Sequence, residues 1–209
     1  MEQTVEKIHT LKINLDKTQA ALAAKLGVGD EMVIVVPIPK DEQPSDDKTL
    51  KCPLPYGNRW WLFENSYSSD SPYREQAFVI VQHPIGSTVL GREAWAHRCY
   101  TYAYKADGED TSYFKEIGIS RRYYWRSAQC QPVKAIRHQF TVTGNRVCKV
   151  QEIDITTMID AIDFNVQVGF NGQDVINEFA SWFNSRFGKG AWEADPYVEV
   201  VTMRKVERE

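Results

Sequence analysis

Cysteine is scarce and scattered in this sequence. Cys52, Cys99, Cys130 and Cys148 form no C-x-x-C pair, which excludes a zinc knuckle or dithiol redox motif and leads us to expect reduced thiols. No apolar run approaches the roughly eighteen residues of a membrane span, and the charged opening MEQTVEKIHTLKINLDK carries no apolar stretch of signal-peptide length. A cytoplasmic protein with no membrane partner is expected. A G-x-S-x-G nucleophile elbow is missing, and so is a glycine-rich phosphate loop, GVGDE being too short to count. His83, His97 and His138 lack metal-ligand spacing, so neither a metal nor a cofactor is expected.

Acidic residues are missing from one long stretch. Between Arg121 and Gln151 there is no Asp or Glu, while Arg121, Arg122, Arg126, Lys134, Arg137, Arg146 and Lys149 give the segment a charge of +7 in a chain whose net charge is -3. A basic, aromatic-laced stretch in an otherwise acidic protein is the composition expected where a polyanion or a nucleotide is held. With 43% hydrophobic and 12% aromatic residues the chain has enough apolar material for a real core, so a folded protein is expected.

The pattern of the 209 residues predicts a single domain spanning 1–209. Residues up to about Lys25 read as a helix ended by Gly27, and MVIVV as a buried strand stopped by Pro37 and Pro39. Residues 40–58 and 65–75 read as surface loops, the first long enough to invite a purpose. RWWLFE, AFVIVQ, STVLGREAW and CYTYAYKAD read as strands, with a hairpin or bulge at Thr143-Gly144-Asn145. DITTMIDAIDF reads as a short helix. Val175, Ile176, Phe179, Trp182 and Phe183 fall on one face of a longer helix stopped by Gly188, and PYVEVVTMRKV closes as a strand. Six to eight strands with two or three helices, and no regular strand-helix alternation, predict an α+β fold on a mixed or barrel-like sheet.

Three segments resemble a family. GREAWAHRCYTYAYKAD resembles the G-D-x-L-W-V-R-E-T-W-A segment and following Y-x-Y-K-A-D strand of ASCH-type phage and prophage proteins. YWRSAQCQPVKAIRHQFTVTGNRVCKVQEI is similar to that family's W-[KR]-P-S-I-H-M-P-x-W-A-x-R segment. FASWFNSRFGKGAWEADPYVEVVTMRKV is similar to its closing helix, G-x-W-D-A-N-P-W-V-W-V and strand. The ordered match covers about Gly86 to Val206. The resemblance implies a PUA-like mixed β-barrel with two or three flanking helices and a long N-terminal loop region, in the cytoplasm of a bacterial host. It implies binding to RNA, single-stranded nucleic acid or a nucleotide. Members commonly carry a K-T-x-T-R-R motif whose lysine and threonine are implicated in amidohydrolase-type activity. DKTQAALA keeps Lys17 and Thr18 but not the rest, and the alternative placement on GDEMVIVVPIP keeps none of it. The S-I-H-M-P string becomes Ala128-Gln129-Cys130-Gln131-Pro132, without the histidine. Binding is therefore the leading expectation. A hydrolase of a modified nucleoside or RNA is the alternative, and a phage inhibitor of a host protein a third.

Candidate residues follow from their chemistry. Neighbours on a strand face opposite sides, so only one of Arg92 and Glu93 can enter a given pocket. A buried Glu93 needs a partner, for which Arg126 or Arg137 is at hand, and it is also the candidate acid-base group. Lys105 would meet a phosphate as a point charge, in company with Arg121 and Arg122, and Lys17 or Lys105 could assist Glu93 in an enzyme. Trp125 and Arg126 present planes that stack on bases, and Gln129 can read a base edge. Trp182 and Trp192 read as core, and one of Trp60 and Trp61 should face outward.

Overall fold

The structure is a computed structural model that describes residues 10–41, 43, 54–56, 60–64, 76–98, 101–108, 124–166 and 171–208, with the side chains of 54–56, 60–64, 76–80 and 98 set aside. The strands are β1 (Thr10–Asn14), β2 (Glu31–Pro37), β3 (Leu54–Tyr56), β4 (Trp60–Glu64), β5 (Gln76–Ile80), β6 (Thr88–Arg92), β7 (Trp95–Arg98), β8 (Thr101–Tyr104), β9 (His138–Lys149) and β10 (Tyr197–Lys205). The helices are α1 (Lys17–Lys25), α2 (Ile155–Ile162) and α3 (Gly172–Phe187). This is an α+β fold. One five-stranded sheet runs in the order β1-β6-β9-β10-β2, and β3-β4-β5 and β7-β8 form smaller sheets. The large sheet is mixed, β1 pairing parallel to β6 and β6 antiparallel to β9. Among the described residues no closed barrel forms.

The chain divides into two compact units. Met1–Met32, Gly86–Val142 and Met203–Glu209 make the first, and Val33–Ile85 and Thr143–Thr202 the second.

In the first unit, the stretch expected to be helical begins instead with β1. TLKIN alternates, and Ile13 is buried, so the period-two pattern and pairing with β6 decide its state ahead of the alanine-rich run that starts at Ala20. Asp16 then caps α1. Its carboxylate accepts from the Gln19 N–H at 2.8 Å, meeting one of the donors that a helix start leaves open. The expected continuous strand STVLGREAW is broken at Glu93-Ala94, between β6 and β7. The ladder stops there because the Glu93 N–H donates instead to the side chain of Gln131 at 2.9 Å. CYTYAYKAD likewise ends as a strand at Tyr104, with Lys105–Asp107 forming a 3-10 turn.

The second unit holds the main aromatic core. Phe179 and Phe183 of α3 are fully buried with Val150, Met158, Val175 and Val198, and Trp182 and Trp192 pack against them partly buried. Asn171 and Asp174 form a capping box at the start of α3, and Gly188 ends it at φ +112°, a conformation that side chains resist. A hairpin at Thr143-Gly144-Asn145 is absent, because β9 runs straight through. Gly144 is there for closeness: a Cβ would stand 3.3 Å from that of Thr202. Within 40–58, Leu54–Tyr56 is a strand and not loop. The facing of Trp60 and Trp61 falls on side chains outside the described set.

One polar cluster is buried in this unit. Glu199, 2% exposed, accepts from the His83 N–H at 2.9 Å and meets His83 Nδ1 at 2.8 Å. Asn145 donates to the same carboxylate and to the His83 carbonyl.

Candidate functional site

The site lies in the first unit and begins where β6 stops. Glu93 is turned inward at 1% exposure. An ionised carboxylate at that depth needs donors, since burying it unpaired costs several kcal/mol. Arg137 supplies them in a fork, Nε to Oε1 at 2.7 Å and Nη2 to Oε2 at 3.1 Å. The guanidinium is shared. It also donates Nη1 and Nη2 to Asp107 at 2.7 and 2.6 Å, and its carbon sits 4.1 Å from the Tyr104 ring centroid. Burial works against the charge on Arg137, but the bonds to Asp107 and Glu93 outweigh it and hold its pKa above the ordinary value. Burial raises that of Tyr104.

Further groups lock this cluster in place. Ala135 O accepts from Gln131 Nε2 at 2.9 Å and from the Tyr104 hydroxyl at 2.8 Å. His138, 2% exposed, brings Nε2 within 3.0 Å of Glu93 Oε1 but off the line of a hydrogen bond, and among the described residues its Nδ1 has no partner.

Beside Glu93 opens a cavity of about 350 Å³, within the size range of small-ligand pockets. Its wall takes Leu15, Ala20, Ala94 and Ala128 as small apolar surface, and Asp16, Lys17, Glu93, Lys105 and Ser127 as polar groups. Lys17 is the first residue of α1 and Lys105 opens the turn after β8. Both are exposed, and among the described residues neither ammonium has an ion-pair partner. Asp16 already occupies the helix start with its own carboxylate, so the available positive charge is that of the two lysines. The chemistry is mixed: two exposed cations, two carboxylates engaged by the protein itself and a hydroxyl beside apolar surface.

A second arrangement adjoins the cavity. Trp95 and Arg126 form an isolated antiparallel bridge, with N–H to O bonds of 3.2 and 2.8 Å. The guanidinium of Arg126 lies 5.2 Å from the Trp95 ring and 5.0 Å from the Tyr124 ring. Trp95 is 4% exposed and Tyr124 53%, so the stack runs from the interior to solvent.

No protein-family model, curated protein or solved structure matches the chain.

Glu93 and Lys105 meet at the cavity together with Lys17. Of the two partners weighed for Glu93, Arg137 is the one, and its fork is thereby engaged and not free for phosphate. Arg92 stays outside the pocket, donating Nη1 to the Gln129 carbonyl at 3.0 Å. Gln129 is exposed. Arg126 stacks, but on Trp95 and Tyr124, and Trp125, between Tyr124 and Arg126 in sequence, is half-buried. Arg121 and Arg122 lie outside the described residues. Asp107, Gln131, His138, Ser127 and Tyr124 were not anticipated. The tandem aromatics of RRYYWR were the signal for Tyr124, and choosing among them required the register of the bridge. Among the described residues no group of three or more His, Cys, Asp or Glu side chains could hold a metal ion.

Proposed function

We propose that this chain is an ASCH-type phage or prophage protein, PUA-like in its barrel, that binds RNA, single-stranded nucleic acid or a nucleotide. One nucleotide sits in the cavity between Lys17, Glu93, Lys105 and Ser127. The observation that carries this reading is the convergence of Lys17 and Lys105, from distant parts of the sequence, on one cavity whose carboxylate is held rigid by Arg137. The ammonium groups suit a phosphate as point charges, and Glu93 and Ser127 suit the polar edge of a base or sugar. Titration of the protein with a nucleoside 5′-monophosphate and with the matching nucleoside tests it. The monophosphate should bind more tightly, and Lys105→Ala should remove about tenfold of that advantage, one charge-assisted contact. Equal affinity for both ligands, or none for either, counts against the reading.

A hydrolase acting on a modified nucleoside or RNA is the second reading. It is favoured by Lys17 and Glu93 lining the same cavity, two residue types that acid-base hydrolysis draws on. Release of the acyl group from N-acylated nucleosides, followed by chromatography, would show it. Glu93→Gln should then abolish turnover with the circular dichroism spectrum unchanged.

A further inference from the structure

The Trp95–Arg126–Tyr124 stack is unused by the cavity, although the two share a wall. Ala94 and Ser127 line the cavity, and the next residues inward, Trp95 and Arg126, are bridged by paired backbone hydrogen bonds and carry the stack. Adjacent side chains of an extended segment turn to opposite faces, so the cavity and the stack lie on the two sides of this bridge. The stack is built from within. Trp95 is buried, the guanidinium of Arg126 lies close to its ring and to that of Tyr124, and about half of the Tyr124 surface is in solvent. A tyrosine ring backed by a fixed cation on one face leaves the other face as a flat platform held in one orientation, at little conformational cost to a planar ligand.

We infer that Tyr124 is the stacking platform for an unpaired nucleobase next to the nucleotide in the cavity, so that the ligand is a single strand of at least two nucleotides and not a free mononucleotide. This rests on the nucleotide reading of the cavity and adds the class of ligand. A strand can occupy the cavity with one nucleotide, pass over the edge of the bridge and lay the neighbouring base on Tyr124. A single nucleotide engages one side only. Stacking tolerates any base, because every base has a π-face, so the platform confers preference for single strands without a sequence.

The experiment compares three ligands on the full-length chain: a fluorescein-labelled pentameric RNA, the same sequence as DNA, and a nucleoside 5′-monophosphate. Affinities are measured by anisotropy for the oligomers and by calorimetry for the monophosphate. Tyr124→Ala should weaken oligomer binding about tenfold, the size of one lost base–aromatic stack, and leave the monophosphate unchanged, while Tyr124→Phe restores the oligomer. Lys105→Ala should weaken both. If Tyr124→Ala binds the oligomers like the parent while Lys105→Ala loses the monophosphate, the cavity reading stands and the platform is overturned. If the parent binds neither class, the cavity reading falls and the platform with it. RNA and DNA should respond to Tyr124→Ala alike. A loss confined to RNA would overturn stacking in favour of a 2′-hydroxyl contact.

Discussion

A carboxylate with 1% of its surface exposed has to be answered by donors, and Glu93 is answered by the fork of Arg137. The pair is unequal, since the Arg137 side chain keeps 28% exposure and a second partner in Asp107. Removing the arginine therefore strands a buried charge, whereas neutralising the glutamate costs one arm of the fork and leaves the guanidinium paired with Asp107. Arg137→Ala should lower stability by about 3–5 kcal/mol, the usual cost of breaking a buried pair from one side, and Glu93→Gln by clearly less. Urea unfolding midpoints of the two variants measure this, and equal losses would mean that the pair is not the anchor. The need for a partner was legible in the sequence, which offered Arg126 and Arg137 as equals. Choosing between them depended on Arg126 being turned the other way, onto Trp95.

Helix ends and strand ends were legible in different degrees. Gly188 stops α3 and Asp154 starts α2, both local signals that the sequence carries openly. Asp154 accepts from the Thr157 N–H at 2.9 Å and from Arg146 at 2.6 Å, and the Thr157 N–H, ahead of its hydroxyl and Arg146, holds its carboxyl below an ordinary 3.8. A lowered folded pKa contributes stability that is fully present above the ordinary value and is lost as pH falls through the lower one. Asp154→Ala should thus cost about 1 kcal/mol near neutral pH, a typical lost cap. The gap between variant and parent should narrow in acid, as thermal melts at two pH values would show. A gap that widened in acid would contradict the assignment. The break between β6 and β7 was illegible, because the residue that interrupts the ladder at Glu93 is Gln131, far along the chain.

Charge was the plainest feature of the sequence, and the folded chain redistributes it. Arg137 is held by Glu93 and Asp107, Arg146 by Asp154, and Lys149 lies 4.3 Å from the Tyr197 ring. Among the described residues, Arg137 and Arg146 of the +7 segment are thereby matched by carboxylates from outside it. Single-strand binding through Lys17 and Lys105 alone should show a shallow salt dependence, a slope of log affinity against log salt of about −1.4 for two phosphate contacts. Anisotropy across a salt series measures it. A slope beyond about −3 would require cations besides these two to meet phosphates.

The sequence alone settled the class of fold and most of its elements, because periodicity, caps and glycine stops act within a few residues. It also located the residues worth watching: Glu93, Lys105, Lys17, Arg126 and Arg137. Tertiary structure decided which of them share a site. Glu93 faces Arg137, the two lysines meet at one cavity, and Arg126 is bridged to Trp95, all by bringing distant segments together. Desolvation makes such pairings selective, since a buried charge must find the one partner within reach, and reach is a property of the folded chain.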